Sequence, residues 1–362
     1  MKSSEASKQN QKEPRPLIIP IFLPHAGCPH QCIFCDQHAI TGIRKTNVTT
    51  RNLCSQIEAF LNNNSGQRRP VQVAFYGGNF LGINAKNVRL LLAEAARFVE
   101  DGVADSIRFS TRPDTINRKS LDMIKDFPVS TIELGAQSLD DQVLAISRRG
   151  HTAMDTEKAV HLLKDHGYEI GIQIMVGLPG DNREKLLKTA QRVAQFKPDV
   201  VRIYPTVVLT GSPLAKWYHT GRYEPLTLEE GVTLVKHLYL LFKKKNIRVI
   251  RMGLQASEEF IDNSSILAGP YHPAFGHLVH SEIFLDHAIS ALESAEFHDK
   301  DILIRVHPKN ISKMRGLKNE NIRKLQVRFR VKSVDIIPDA TIAADGLVLN
   351  NNKKLTGYQL SS

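Results

Sequence analysis

Short apolar runs alternate with amphipathic stretches over the first two thirds of the chain. Segments such as 87–100, 154–167 and 181–196 repeat apolar residues at helical spacing. Buried parallel strands read as continuous apolar runs, and strands that alternate with helices form a parallel sheet. The pattern predicts an α/β fold of six β–α units, arranged as a partial (βα)6 barrel or a doubly wound sheet. The six predicted strands are rich in Val, Ile and aromatic residues and cover 17–23, 71–76, 106–111, 130–135, 169–176 and 200–205.

Local signals place two helix starts and one further strand. Asp181, with an acid three residues later, predicts a capped start for the helix over 181–196. The segment 227–246 begins at Thr227 and ends in lysines, the charge that the helix dipole favours at a C-terminus. Residues 248–250 read as a further strand. Both candidate folds bind ligands at the carboxyl ends of their strands.

The chain changes character after residue 252. A stretch rich in Gly, Pro and His covers 266–282, and two strand-like runs, at 302–308 and 333–339, flank a basic helical stretch. We therefore expect four parts: a disordered tail at 1–16, the barrel at 17–252, a substrate-side extension at 253–299, and a small basic α/β appendage at 300–362.

The positive charge is concentrated near the C-terminus. The 362-residue chain has a formal net charge of +11. Residues 300–362 hold 13 Lys/Arg and 5 Asp/Glu, whereas residues 17–299 hold 31 and 30. Such a segment suits a polyanionic partner, tRNA or another RNA, and it equally suits a solvated lysine-rich surface.

Composition excludes several classes of protein. Hydrophobic residues make up 42% of the chain and charged residues 23%, as in ordinary globular proteins. No stretch of 18 apolar residues occurs, so we expect no membrane-spanning helix. The start of the chain is polar and lacks the apolar region of a secretory signal, and we expect a cytoplasmic protein.

Three of the four cysteines lie within eight residues. Cys28, Cys32 and Cys35 form a C-x3-C-x2-C pattern, whereas a disulfide scaffold would spread its cysteines along the chain. Three thiolates can bind three irons of a four-iron cluster and leave the fourth iron open to a ligand. Cys54 falls in a predicted helix, where we expect a small buried side chain rather than a fourth ligand.

Zinc is the alternative for the same loop. It prefers four ligands, and one of three nearby histidines would complete the set: His25, His30 or His38. That reading makes the chain a zinc-binding nucleic-acid protein. Three later histidines, His272, His277 and His280, are open to two interpretations, a second metal site or residues that cap loops and line a pocket.

The cysteine loop directly follows the first predicted strand and carries an aromatic residue, Phe34, before its last cysteine. In that position it resembles the loop of the radical S-adenosylmethionine (SAM) superfamily. Further motifs are similar to the radical domain of the Elongator catalytic subunit and its short bacterial relatives, and more distantly to oxygen-independent coproporphyrinogen oxidase. The resemblance covers about 17–255, and its other motifs are YGGNF (76–80), FSTRPDTI (109–116), ELGAQSLDDQVLAISRRGHT (133–152), IGIQIMVGLPGD (170–181) and VRIYPTVVLTGSPLAKWYHTGRYEP (202–225).

The resemblance implies a [4Fe-4S] cluster held by the three cysteines, with SAM chelated to the open iron. One electron from the cluster, supplied by a flavodoxin or ferredoxin, would cleave SAM to methionine and a 5′-deoxyadenosyl radical that abstracts hydrogen from the substrate. It also implies a partial barrel and an enzyme.

Roles for single residues follow from the same resemblance. Gly77 and Gly78 would let the backbone approach the methionine amino group, although Asn79 stands where relatives often carry an acid. Ser110 and Thr111 stand where relatives turn a polar side chain toward the cofactor.

The ribose, carboxylate and adenine of SAM have candidates of their own. Gln137 would bind the ribose hydroxyls, and Arg149, or alternatively Arg148, the carboxylate. Backbone from Met175 to Gly177 and around Tyr204 would line the adenine.

The substrate stays open between two classes. Elongator-like motifs and the basic appendage favour RNA modification, while no glycine from 253 onward fits a phosphate loop for acetyl-coenzyme A, so we expect no acetyltransferase step. The alternative is a small metabolite acted on in a pocket sealed by 253–299, as in coproporphyrinogen oxidase.

Overall fold

The computed structural model describes residues 16–41, 50–63, 70–254, 265–294, 301–351 and 354–358. The predicted tail over 1–16 lies outside these residues except for its last position.

A seven-stranded parallel sheet forms the larger part of the fold. Its strands are adjacent in chain order, so each β–α unit adds one strand at the same edge. The sheet is open, with the first and last strands at its edges, which confirms the predicted partial barrel. All six predicted strands are present, and the run at 248–250 belongs to the seventh. The strands are β1 (Leu17–Leu23), β2 (Val71–Gly77), β3 (Ser106–Thr111), β4 (Val129–Gln137), β5 (Glu169–Val176), β6 (Val200–Pro205) and β8 (Arg248–Met252).

A short antiparallel pair of strands begins directly after β6 in the chain. It pairs β7 (Val208–Leu209) with β9 (Ile266–Ala268). Six helices pack in the large core on one face of the sheet: α2 (Thr50–Asn62), α3 (Ala85–Glu100), α4 (Arg118–Ile124), α6 (Ala153–Asp165), α7 (Arg183–Gln195) and α9 (Leu228–Lys244). Three short helices lie outside that core: α1 (Gln37–Thr41), α5 (Asp141–Ile146) and α8 (Pro213–His219).

Alternation along the strands separates the core from the site. Residues such as Phe75, Phe109 and Ile172 are fully buried against the helices, and they belong to one large apolar cluster. Their sequence neighbours point to the opposite, inner face of the curled sheet, because successive side chains of a strand alternate between faces. The inner face is therefore available for chemistry.

Helix starts follow capping chemistry. Thr227 caps α9 in a capping box: its Oγ1 accepts from the backbone N–H of Glu230, whose carboxylate accepts in return from the N–H of Thr227. This prediction is confirmed. The predicted cap of α7 is wrong by one residue, because Asn182 has the extended backbone of a cap and accepts from Lys185 N, while Asp181 only accepts from Asn182 N.

A second sheet of four strands packs on its own apolar core. Its first helix, α10 (Phe275–Ser294), contributes Phe275 and Val279 to the large core and Phe284 and Leu285 to the small one. No helix of the described residues is both long and apolar enough to cross a bilayer. The other elements are β10 (Asp301–Val306), α11 (Ile311–Arg315), α12 (Glu320–Phe329), β11 (Ser333–Pro338), β12 (Leu347–Asn351) and β13 (Lys354–Tyr358). The strand order of the second sheet is β11-β10-β12-β13.

Candidate functional site

The cysteine loop follows β1 and is held by backbone contacts to the next strand. Gly78 N donates to Leu23 O over 2.9 Å, and Asn79 N donates to Ala26 O over 2.7 Å. A Cβ on Gly78 would lie 2.1 Å from Ala26 O, so this position must be glycine for the two backbones to meet. Gly77 has a φ of 104°, and its carbonyl accepts from Gln37 Nε2 over 2.6 Å. The glycine pair therefore fixes the base of the loop.

The three thiols lie close enough for their charges to interact. Cys32 is buried, and Cys28 and Cys35 are half-buried. Burial, followed by the charge of Cys32, raises the pKa of Cys28, while Arg149 and Arg112 act to lower it. Burial and the other two thiols likewise raise the pKa of Cys35. An electrophilic partner that takes up thiolate charge would relieve this repulsion.

The three thiols fit the ligand set of an iron–sulfur cluster, and the histidines that would complete a zinc site have other contacts. One zinc ion gathers its ligands within about 2.3 Å of a single point. Across the described ranges, no three His, Cys, Asp or Glu side chains converge in that way. His30 Nε2 instead lies 3.2 Å from Arg149 O, and the rings of His25 and His38 pack at 5.1 Å. Thiolates of a four-iron cluster each bind a different iron, so they need not converge.

Arg149 joins the loop to the end of β4. It is 6% exposed, its Nη1 donates to Cys32 Sγ over 3.1 Å, and its Nη2 donates to Gly135 O over 2.6 Å. Its Nε has no hydrogen-bond partner among the described residues. Arg148 is exposed, with a φ of 53°. Of the two predicted arginines, only Arg149 thus faces the cysteine loop, with one donor group unused.

Asn79 has a structural role that its sequence position did not reveal. It is 1% exposed, and its Oδ1 accepts from Thr111 Oγ1 over 2.7 Å and from Arg112 N over 3.0 Å. Its Nδ2 donates to Gly27 O over 3.0 Å. Thr111 shares the helix-covered face of β3 with Phe109, so its hydroxyl serves this network and does not reach the inner face, contrary to the expectation.

The remaining predicted residues lie on the inner side of four strand ends, those of β3, β4, β5 and β6. Ser110 pairs in register with Glu133, and Gln137 ends β4 with a φ of 68° and accepts from Gln173 Nε2 over 3.2 Å. Met175 and Tyr204 are register partners on β5 and β6, and both pack in one small apolar cluster with Phe34 of the cysteine loop. The structure therefore brings the positions predicted to bind the cluster and SAM to the carboxyl end of the sheet.

An ionic network on the inner face was missed by the sequence analysis. Glu133, 3% exposed, lies 3.3 Å from Arg108 Nε, 3.0 Å from Arg202 Nη2 and 3.0 Å from Tyr76 Oη. Burial and Glu133 raise the pKa of Tyr76, which therefore stays neutral. The signal was present: these charged residues interrupt apolar runs at positions of the same alternation.

The later histidines and the fourth cysteine lie elsewhere. His272 Nδ1 accepts from Ala274 N over 3.0 Å, ahead of α10, which is a loop-capping role. On α10, His277 Nε2 lies 3.5 Å from Ser281 Oγ, and the His280 ring packs edge-on against Tyr239 at 5.0 Å. Cys54 is half-buried and donates to Glu94 Oε1 over 2.7 Å, so it is a hydrogen-bonded thiol rather than a buried apolar side chain.

Comparisons with known proteins agree with this geometry. Residues 22–193 match the sequence model of the Radical SAM superfamily, and residues 198–284 match that of the Radical_SAM C-terminal domain. The chain is 34% identical over 137 residues to a tRNA uridine(34) acetyltransferase of Methanocaldococcus jannaschii. This alignment covers 37% of this chain and 25% of that protein.

Two further similarities extend the comparison. Elongator complex protein 3 of Homo sapiens is 28% identical over 153 residues, covering 41% of this chain and 28% of that protein. The chain thus aligns with only about a quarter of each curated relative named here. The solved structure of archaeal Methanocaldococcus infernus Elp3 with an N-terminal deletion has the same fold, with a TM-score of 0.58 at 18% identity, over 92% of this chain and 73% of that one.

Proposed function

Because the chain belongs to the radical SAM superfamily, whose enzymes use a [4Fe-4S] cluster and SAM, we propose that it is a radical SAM enzyme that modifies RNA, with tRNA as the first candidate substrate. The observation that carries the proposal is the loop of three clustered thiols at the carboxyl end of the sheet, where the buried Arg149 guanidinium donates a hydrogen bond to Cys32 Sγ.

The chain's own residues would hold the cluster and set its surroundings. Cys28, Cys32 and Cys35 would each bind one iron, and Arg149 would donate a charge-assisted hydrogen bond to one of the ligating sulfurs. When bound, the cluster supplies the electron that cleaves SAM. Phe34 with Met175 and Tyr204 forms an apolar wall that limits the access of water on this side.

We place SAM between the cysteine loop and the inner ends of β2 to β6. The unused Nε of Arg149 suits the SAM carboxylate, the Gln137 amide suits the ribose hydroxyls, and Tyr204 and Met175 suit the adenine. Gly77 and Ser110 complete the wall on the β2 and β3 side. Ligands of β–α barrels bind at this end of the strands.

Three features support RNA as the substrate. The relatives named above include tRNA uridine(34) acetyltransferases. The segment after residue 300 is strongly basic, as expected of a surface that meets phosphate. The inner face is ionic and hydrogen-bonded around Glu133, which suits a polar nucleoside more than an apolar ring system.

Iron binding tests the cluster directly, apart from any activity. After anaerobic iron and sulfide reconstitution, we expect about four irons per chain, and Cys32→Ala should lose most of this iron while keeping its circular dichroism. Cys54→Ala is the matched control, since that thiol contacts Glu94 on the helix layer, and it should load fully. Stoichiometric zinc without iron, or full loading of Cys32→Ala, would remove the proposal.

The substrate class needs a second assay. With SAM and dithionite as the reductant, formation of 5′-deoxyadenosine should rise when undermodified tRNA is added to the reconstituted chain, and a new nucleoside mass should appear in digested tRNA. Stimulation by an RNA-free metabolite extract, with none by tRNA, would transfer the enzyme to the small-metabolite class.

A further inference from the structure

A tight turn joins two helices of the C-terminal unit. The chain runs from β10 through α11, the turn at 316–319 and α12 into β11. Gly316, Lys318 and Asn319 have φ angles of 72°, 50° and 63°, so three of the four turn residues are left-handed. Asn is among the side chains that tolerate this region best, and Gly adopts it freely.

A buried asparagine shortly after the turn anchors it to neighbouring helices, while the tip of the turn is exposed to solvent. Asn321, 3% exposed, donates through Nδ2 to Ser281 O on α10 over 2.9 Å and to Lys313 O over 3.3 Å. A Cβ on Gly316 would lie 2.8 Å from Asn321 Oδ1, so glycine is needed where the turn crosses this anchor. Lys318 and Asn319 are exposed. The turn is therefore a preformed protrusion.

The surface around the turn carries unbalanced positive charge. From 309 to 332 there are nine Lys/Arg and one acid, Glu320, which lies 3.3 Å from Lys324 Nζ. Six of the cations are exposed, with no carboxylate within ion-pair distance in the described part of the chain: Lys309, Arg315, Lys318, Arg323, Arg330 and Lys332. Charge of one sign on a folded surface attracts a polyanion.

We propose that this turn and its flanking helices, α11 and α12, bind the phosphodiester backbone of single-stranded RNA. KH modules grip four nucleotides of backbone with a Gly-x-x-Gly loop, and Gly316–Asn319 reproduces that loop with Asn in place of its second Gly. Lys318 at the tip contributes charge without reading sequence. The inference rests on the proposed function for the choice of RNA, and it names the surface that holds the RNA away from the cysteine loop.

A charge-reversal pair tests the surface in the full chain. Affinity for a fluorescein-labelled eight-nucleotide RNA is measured by anisotropy from about 50 to 200 mM salt. The double variant Lys318→Asp with Asn319→Asp should bind the RNA about tenfold more weakly or worse. The slope of log affinity against log salt concentration should become shallower by the equivalent of at least one phosphate contact. Asp tolerates left-handed backbone, so the turn keeps its shape.

A matched control exists at the amino ends of β6 and β8 in the large sheet. Lys197 and Asn246 are likewise an exposed Lys and an exposed Asn with φ angles of 48° and 56°, at the C-terminal ends of α7 and α9. Lys197→Asp with Asn246→Asp makes the same change in charge and should bind RNA within about twofold of the unaltered chain. Asn319→Gly should bind at least as tightly as the unaltered chain, because Gly keeps the backbone of the turn.

The outcomes separate this inference from the proposed function. Equal affinity of the turn variant and the control, a duplex RNA bound as tightly as the single strand, or preference for anionic phospholipid vesicles would overturn the inference and leave the cluster and its tRNA-dependent cleavage of SAM intact. Loss of RNA binding in the turn variant, with no tRNA-stimulated 5′-deoxyadenosine in the unaltered enzyme, would support the inference and reject the proposed function.

Discussion

Replacing Glu133 by Gln should destabilise the protein more than any other isosteric change on the inner face. The carboxylate is 3% exposed and faces two guanidinium groups, those of Arg108 and Arg202. Gln keeps the shape and one acceptor oxygen but removes the negative charge. The buried guanidinium of Arg108 and the half-buried guanidinium of Arg202 would then lose the carboxylate that neutralises them.

The size of the effect follows from the cost of an unpaired buried charge. Removing one partner of a buried ion pair costs about 3–5 kcal/mol. Arg108 is itself 5% exposed, so solvent can relieve little of its share. Tyr76→Phe supplies the comparison: it removes a hydroxyl that contacts Glu133 at 3.0 Å and Arg202 Nη2 at 2.8 Å but leaves all charges in place. That variant should lose about 1 kcal/mol.

Urea unfolding gives both values. It can be followed by circular dichroism and by the fluorescence of the single tryptophan, Trp217. Glu133→Gln should lower the free energy of unfolding by about 3–5 kcal/mol, with an unchanged denaturant slope. A loss no greater than that of Tyr76→Phe would refute the reasoning, because it would mean that water on the inner face already screens the two arginines.

Three further predictions concern other parts of the fold. Gly78→Ala should cost more than about 2 kcal/mol in urea unfolding and reduce iron loading, since its Cβ would meet Ala26 O; full loading would contradict this. Burial lowers the pKa of His151 to about 4, below its unfolded value, so its contribution to stability is present above pH 6.5 and is lost as the pH falls toward 4. Between pH 6.5 and pH 4 the free energy of unfolding should fall by up to about 3 kcal/mol less in His151→Leu than in the unaltered chain. Parallel plots of unfolding free energy against pH for the two proteins would argue against this. Thr227→Ala should lose about 1 kcal/mol through its cap, and an unchanged urea midpoint would show that the cap is dispensable.

Much of the architecture could be predicted because it depends on local patterns. Apolar runs of strand length separated by amphipathic segments are sufficient for a parallel β–α sheet, and all six predicted strands occur in it. The start of α9 at Thr227 was predictable because a capping box involves only neighbouring residues. The start of α7 was missed by one residue, because Asp181 and Asn182 are both good caps and their backbone conformations decide between them.

The candidate site divides in the same way. The sequence alone shows the spacing of Cys28, Cys32 and Cys35 and their position directly after the first predicted strand. That Asn79 would tie the cysteine loop to β3 was not visible, since its partners Thr111 and Arg112 lie more than thirty residues away along the chain. The same holds for the choice of Arg149 over Arg148, which depends on how α5 ends.

The sequence by itself determined the features that depend only on neighbouring residues. These are the periodicity of strands and helices, the helix caps, and the three thiols on one short loop. Tertiary structure alone decided which distant charges meet. Glu133, Arg108 and Arg202 come from three strands, and only the parallel register of the sheet and the inward turn of alternate side chains bring the Glu133 carboxylate within about 3 Å of both guanidinium groups. The physical reason is that ionic contacts of this kind depend on distance in space, which sequence separation does not encode.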